Sequence, residues 1–412
     1  MNIHGNFVLA HLSDLHLGYK AGSKTTSSGV NVREDDGYRA FHEIVDQIIA
    51  DGTVDAVLIA GDLFHTPNPS IRSIVCAQNE LRRLTESLNC KVYILSGNHD
   101  QSDIHSEIAS SVAVNDPKYG IYSTDDPYEA YEIYPGVVLH MVSHHLFADQ
   151  AATFDEIKPF SAALNILSAH GTMHDESQHN KVLHMDAPAP REIILPSNLL
   201  DNPLWTRCLL GHIHERQFVG ASKRVYYNGS TLRRGFSDGV TNLGRGWTKW
   251  TITPSGLITP DFKQIWQRPQ ADFPLIDAAN MSIGELNELI ISRLETSMND
   301  LDASDLMNQP ILRQKVVNLS IVKKRSLDYE HINSLASKAL TWSLSTATID
   351  QNAGSEEAQK VPENSTLTDI YQNWAQKCDV VQQLDDKIQT QVVSQAQHLL
   401  TQSTESLYNA ED

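Results

Sequence analysis

Predominantly apolar runs, rich in Val, Ile and Leu and broken only by His11 and His140, mark the first 250 positions: Phe7 to Leu12, Val57 to Ala60, Val92 to Leu95, Val137 to Val142 and Leu209-Leu210. Without polar alternation, such runs read as strands buried on both faces. Between them, residues 34 to 50 and 70 to 88 carry helical spacing, with Phe41, Val45 and Ile48 on one stripe and Ile74, Leu81, Leu84 and Leu88 on the other. The sequence turns strand-rich later, at Arg224 to Tyr227 and Trp247 to Ile252. This order predicts an α/β fold of two facing sheets flanked by helices.

From Pro274 the pattern changes. Ser282-Ile283-Gly284-Glu285 reads as a capping box opening a helix with Leu286, Leu289, Ile290 and Leu294 inward. Val316 to Val322 reads as a strand, Asp328 to Leu340 as a helix and Trp342 to Ile349 as a strand, together a small α/β unit. Residues 351–364 are polar, contain Gly and Pro and lack periodicity, as a linker does. Beyond them, in 365–412, Leu367, Ile370, Trp374, Cys378, Val381, Leu384, Ile388, Val392, Ala396 and Leu399 recur every three or four residues. One stripe of this kind predicts a helical tail.

Candidate chemistry follows the apolar runs. Asp14-Leu15-His16, Gly61-Asp62-Leu63-Phe64-His65, Gly97-Asn98-His99-Asp100, Ala169-His170-Gly171 and Gly211-His212-Ile213-His214 are all placed on loops at strand ends, where ligands collect in such sheets. Carboxylate, amide and imidazole donors without thiolates turn the site away from structural zinc and toward manganese, magnesium or iron. A pair of such ions, about 3.5–4 Å apart, needs a bridging ligand, and Asp62 is the candidate. Asp14 and His16, two apart on an extended segment, are expected to leave the same face, and His212 and His214 to repeat this. Gly61, Gly97, Gly171 and Gly211 are expected to permit the sharp turns that aim these side chains.

This series resembles the calcineurin-like metallophosphoesterase superfamily, whose motifs D-x-H, G-D, G-N-H-D/E, H and G-H-x-H are all present. Within it the chain is similar to the SbcD-type nucleases of double-strand-break repair, through Gly61 to His65 with Pro67 and Pro69, Arg33 to Phe41, and Tyr227-Asn228-Gly229-Ser230. The resemblance implies a four-layer fold over 1–270, a capping domain over 271–350 that contacts DNA, and tail helices that dock on an SbcC-type ATPase. It implies one ion on Asp14, His16, Asp62 and His214 and another on Asp62, Asn98, His170 and His212. His99 would stabilise the phosphorus centre or protonate the leaving oxygen, and His65 would help place the strand. Two-ion hydrolysis of phosphodiester bonds in DNA follows, exonucleolytic on duplex ends and endonucleolytic on single strands and hairpins, by a homodimer with manganese. Asn228 replaces the family's commoner proline, so a looser turn is expected there.

Charge modifies this picture. The formal net charge is -19, the wrong sign for a phosphate backbone, yet residues 191–250 hold nine basic against four acidic side chains. Lys223, Arg224, Arg233, Arg234, Arg245 and Lys249 lie in that stretch, and Lys323, Lys324 and Arg325 form a second basic cluster. Lys223, Arg224, Arg233, Arg234 and the second cluster are the candidate DNA contacts. His144 and His145 match no motif and read as core-edge residues; His174, His179 and His184 fall in a polar loop. Cys76, Cys90, Cys208 and Cys378 have no paired spacing, which suits free thiols in a reducing cytoplasm. No apolar run approaches the roughly 18 residues of a membrane span, so a soluble cytoplasmic protein without membrane contact is expected. Two other readings share parts of the signal: a small-molecule phosphodiesterase acting on cyclic nucleotides or nucleotide pyrophosphates, and a metal-stabilised repair scaffold that does not cut.

Overall fold

A computed structural model describes residues 5–101, 108–148, 154, 157–161, 163–173, 194–220, 222–238, 244–253, 255–256, 258–298, 305–349 and 394–395. It divides into two compact units, 1–348 and 349–412. The tail helix and linker expected after residue 350 lie outside the described residues except for 394 and 395, which are helical.

Twelve strands build two six-stranded mixed sheets. They are β1 (Phe7–Leu12), β2 (Ala56–Ala60), β3 (Lys91–Leu95), β4 (Ile121–Thr124), β5 (Tyr128–Tyr134), β6 (Val137–Val142), β7 (Leu164–His170), β8 (Arg207–Gly211), β9 (Gln217–Val219), β10 (Val225–Tyr227), β11 (Gly246–Ile252) and β12 (Ile258–Gln264). The first sheet runs β12-β11-β1-β2-β3-β4 and the second β5-β6-β7-β8-β10-β9. β1 to β4 are mutually parallel, as are β6, β7, β8 and β10, so each sheet collects several carboxyl ends along one edge. Helices α1 (Val32–Asp51) and α2 (Ile71–Leu88) complete the parallel crossovers of the first sheet.

Period-two alternation divides the first sheet's side chains between two cores. Val8, Ala10, Leu12, Val57 and Ile59 pack with Phe41, Ile44, Val45 and Ile48 of α1 and Leu81 and Leu84 of α2. Phe7, Leu9, Leu58 and Leu95 point the other way, against Val137, Leu139, Met141, Ile166 and Leu209 of the second sheet. The second sheet's outer face carries Leu167, Cys208 and Leu210 under Leu199, Leu200 and Trp205. Burial of both faces explains why the apolar runs show no polar alternation.

Residues after 270 form a third sheet: β13 (Gln270–Asp272) and β14 (Ile276–Asp277) pair in parallel with β15 (Ile311–Ser320), which also pairs with β16 (Thr341–Ile349). Helices Ile283–Met298 and Tyr329–Ala336 pack on it through Leu286, Ile290, Leu294 and Ile332. The Ser282 box forms reciprocally: Glu285 N donates to Ser282 Oγ at 3.2 Å and Ser282 N to Glu285 Oε2 at 2.8 Å. Boundaries differ from expectation: the strand expected from Val316 begins at Ile311, and the helix expected to reach Leu340 ends at Ala336. Val322 was expected to end a strand, but the strand stops at Ser320, whose hydroxyl accepts from Lys323 N and caps a short helix, Ile321–Arg325. An N-cap serine overrides the β-preference of Ile321 and Val322.

The Arg33 to Phe41 stretch also finds a structural use. Asp36, 1% exposed, accepts from Arg33 and, at 2.6 and 2.7 Å, from Arg268. Arg268 also donates to the carbonyls of Leu306, Met307 and Gln309, and Arg33 to that of Arg233. The start of α1 thereby joins the segment leading into β15 to the loop that follows β10.

Candidate metal centre

The five motif loops leave the carboxyl ends of β1, β2, β3, β7 and β8, where the two sheets bring them together. Backbone bonds tie the first two: Asp14 N donates to Gly61 O at 3.1 Å, His16 N to Asp62 O at 3.0 Å and Leu17 N to Leu63 O at 2.9 Å. Asp100, fully buried, links the second and third loops by accepting from Phe64 N and Gly97 N at 2.9 Å and Leu63 N at 3.3 Å. Burial, and then the neighbouring Asp62, push its carboxyl up to about 7.

Side-chain direction has a different cause from the one expected. Asp14, His16, Asp62 and His212 have φ of 53°, 47°, 53° and 97°. They are not on extended backbone; each turns through the left-handed region, at a cost of roughly 1 kcal/mol or more apiece for a non-glycine residue. Four strained residues in one cluster are the mark of a site that constrains its backbone for function. Of the glycines, Gly61 needs its freedom, with φ of 88°. Gly97 serves by being small: a Cβ there would meet Asp62 Oδ1.

Three sets of ligand atoms converge, each within 4.8 Å of one another: Asp14, His16 and His214; Asp14, Asp62 and His170; and His16, His65 and His99. Asp62 Oδ2 stands between the two sides, 3.6 Å from His16 Nε2 and 3.3 Å from His170 Nε2. Asn98 Oδ1 is 3.1 Å from both His170 Nε2 and His212 Nδ1. His212 N donates to both oxygens of Asp14.

This donor set fits a divalent cation pair. His170 Nδ1 donates to Ala60 O at 2.9 Å, so the neutral ring aims its Nε2 lone pair at two further acceptors, Asp62 Oδ2 and Asn98 Oδ1. Against the Asp62 carboxylate, a cation resolves that meeting, either a proton or a metal ion. Burial works against protonation of His170, but Asp62 outweighs it and lifts the ring to about 9. On the other side His16 Nε2 and His214 Nε2 face each other at 3.2 Å, and His214 Nε2 is 3.9 Å from Asp14 Oδ1. Burial, then Arg234, hold His16 well below its usual value, and burial with His170 lowers His212 to about 3. Both rings are thus in the neutral form that binds metal. The buried His16 Nδ1 and His212 Nε2 have no hydrogen-bond partner. Against the pull of burial, His170, His99 and His16 keep the Asp62 carboxyl well below the ordinary range, ionised and able to bridge.

His99 and His65 lie at the rim, rings stacked at 5.2 Å and 19°. His99 Nδ1 donates to His65 O at 2.9 Å, which leaves Nε2 as the position for a mobile proton, and His99 N donates to Asp62 Oδ1. Burial and Arg234 lower His65 to about 4.

The basic residues separate into groups. Arg234 reaches the centre, its guanidinium 3.1 Å from His214 Nε2 and 3.5 Å from His65 Nδ1. Arg233 is half-buried behind it, Arg224 is half-buried and Lys223 exposed. Arg245 and Lys249 are spent inside the fold, Arg245 on the carbonyls of His214 and Asp238 and Lys249 on Asp51 at 2.7 Å. Lys323 donates to Ala278 O at 2.9 Å, with Lys324 half-buried and Arg325 exposed on the same short helix. Asn228 does not loosen its turn: its amide donates to Gly229 O and Gly246 O and accepts from Thr248. His144 is buried at the start of a short helix; the side chain of His145, and His174, His179 and His184, lie outside the described residues. Asp238 and Tyr19, whose hydroxyl donates to Arg234 O, carry no sequence signal that sets them apart from loop residues.

The family pattern of calcineurin-like phosphoesterases matches residues 7–216. The DNA double-strand break repair protein Mre11 of Methanococcus maripaludis is 39% identical over 90 residues, 22% of this chain and 22% of that protein. Its namesake in Thermoplasma acidophilum is 35% identical over 102 residues, 25% of each. The chain thus spans about a quarter or less of the length of these curated relatives. Among solved structures, a dimetal phosphatase from Danio rerio is similar with a TM-score of 0.36 and 10% identity, covering 59% of this chain and 92% of that one. Since the matched stretch takes in every strand end that carries a candidate ligand, the chain belongs to the calcineurin-like phosphoesterase family and is a metal-dependent phosphoesterase.

Proposed function

We propose that this phosphoesterase is a DNA nuclease of the SbcD type, cutting phosphodiester bonds at duplex ends and in single strands or hairpins, with two manganese ions. The reading is carried by one arrangement: two ligand clusters that share Asp14, with Asp62 Oδ2 set between His16 and His170 and the stacked His99–His65 pair against His16 at the rim. The partial likeness to archaeal Mre11 proteins supports it. Asp14, His16, Asp62 and His214 would hold one ion, and Asp62, Asn98, His170 and His212 the other. When bound, the ions supply positive charge to the phosphate oxygens and acidify the attacking water.

The chain's own residues do the rest. His99, fixed through Nδ1, presents Nε2 to the leaving sugar oxygen as general acid. Its ring meets His16 edge-on at 4.7 Å, which sets it beside the ligand cluster. Arg234 adds a fixed cation at the same rim, and Arg233, Lys223, Arg224, Lys323, Lys324 and Arg325 are the proposed contacts to the rest of the backbone. Residues 271–350 would serve as a capping domain, with 351–364 a linker and 365–412 a helical tail for an SbcC-type ATPase, the whole acting as a homodimer in the cytoplasm. No helix among the described residues is long and apolar enough to cross a membrane.

One observation favours a second reading. A net charge of -19 disfavours a polyanion more than a small diester, so a cyclic-nucleotide or nucleotide-pyrophosphate phosphodiesterase is the competing assignment. A panel of labelled duplex, hairpin, cyclic AMP and bis-p-nitrophenyl phosphate, with manganese and with the ATPase partner, separates them. Cleavage of the DNA substrates is expected; turnover of the small diesters alone would support the competitor.

A further inference from the structure

We propose that Asp238 is a positioning residue of the metal centre, fixing His214 as a ligand with one carboxylate oxygen and the adjoining Arg234 loop with the other. Asp238 closes a single turn, Phe236–Asp238, and is 2% exposed. His214 Nδ1 donates to its Oδ1 at 2.9 Å, and Arg234 N donates to its Oδ2 at 2.7 Å. Both lone-pair faces of one buried carboxylate are therefore committed, one to a candidate ligand and one to the loop behind it.

The consequence for His214 is a choice of tautomer. An imidazole left to itself favours the proton on Nε2, the atom that faces His16 Nε2 at 3.2 Å and Asp14 at 3.9 Å. Asp238 draws the proton to Nδ1 and leaves Nε2 with its lone pair on the side shared by His16, Asp14 and the Arg234 guanidinium, the last at 3.1 Å. A carboxylate behind a ligating imidazole also makes it more basic and locks the ring, and removing such a partner typically weakens metal binding about 10–100-fold. His170 shows the same arrangement with a neutral acceptor, the Ala60 carbonyl. Among the described ligand histidines, His214 alone has a carboxylate in that role.

The backbone of the turn has its own anchor. Arg245 donates to Asp238 O and to His214 O, and at 3.1 Å to Ser230 Oγ. Replacement of the Asp238 side chain therefore leaves the chain path held while removing the link to the ring. Asp238→Asn is the sharpest variant, because the two donors occupy different oxygens and one of them would then face the amide NH2.

The test titrates MnCl2 into the metal-free full chain by calorimetry, for wild type, D238N, D238A and D238E, with circular dichroism on each metal-free protein. Cobalt absorption spectra report the coordination geometry in parallel. Wild type is expected to take up two ions. D238N and D238A should weaken one of the two steps by about 10-fold and about 10–100-fold respectively, leave the other step within twofold and shift the cobalt bands. D238E, which keeps the carboxylate, should recover part of the loss. If D238A does not fold, D238N decides. A folded D238N with both steps within twofold of wild type would overturn the assignment, whatever its melting temperature. The inference rests on His214 as a ligand: a wild-type chain that binds no manganese would remove the metal centre and this role together, whereas an unaltered D238N would remove this role alone.

Discussion

His99 and His11 show how differently two histidines of one chain are used. His99 is half-buried, joined to His65 and stacked beside the ligand cluster, and His99→Ala is expected to lower kcat on bis-p-nitrophenyl phosphate by about 10²–10⁴-fold while both manganese binding steps stay near wild type. Loss of metal uptake in that variant would make His99 a ligand instead. His11 lies fully buried on β1 with neither ring nitrogen partnered, and burial takes it down to about 3 from 6.5. The unfolded chain therefore gains a proton first as pH falls. Stability from the neutral ring is complete above pH 6.5 and withdrawn between there and pH 3, about 2 kcal/mol of it by pH 5. Urea midpoints for wild type and His11→Leu should be close at pH 7.5 and separate at pH 5 in favour of the variant; parallel curves would contradict this. The ligands other than His170 were legible residue by residue because each closely follows an apolar run. Asp238 was not, since a loop carboxylate acquires its role only from groups distant in sequence, here His214; Asp100 stood in the Gly97 to Asp100 motif, but its bond to Phe64 N could not be read there.

At the scale of elements, the apolar runs located β1, β6 and the ends of β2 and β3 closely, because both faces of those strands are buried and tolerate little else. The helices at 32–51 and 71–88 were equally plain from one apolar stripe each. Ile321–Arg325 was misread because β-branched residues continue past Ser320 and only the serine's bond to Lys323 N stops the strand. The left-handed backbone at Asp14, His16, Asp62 and His212 was also hidden, since no residue there is glycine. Nor did the Arg33 to Phe41 motif announce its charge network. Asp36 holds two arginines in a buried setting, and Asp36→Asn leaves two guanidinium groups without their counter-ion. Removing one member of such a group costs about 3–5 kcal/mol, so D36N should lower the stability of the 1–348 unit by that order in denaturant unfolding. A change under 1 kcal/mol would show that the network is solvated.

For the molecule as a whole, acidity and the proposed substrate pull in opposite directions. With Arg245 and Lys249 engaged internally, two of the nine basic residues in 191–250 are withdrawn from DNA, and the proposed ions would add to the local positive charge. The affinity of the catalytically impaired His99→Ala chain for duplex DNA should fall with salt on a shallow slope, and Arg234→Ala should reduce that slope by about one contact. A slope unchanged by that substitution would place Arg234 off the phosphate path.

All of these roles presuppose a pair of cations at the meeting point of the two sheets. Anomalous diffraction from manganese-soaked crystals tests this most directly. Two peaks about 3.5–4 Å apart, both touching the Asp62 carboxylate and flanked by Asp14, His16 and His214 on one side and Asn98, His170 and His212 on the other, are the expected result. A single peak, or two that do not share Asp62, would contradict it.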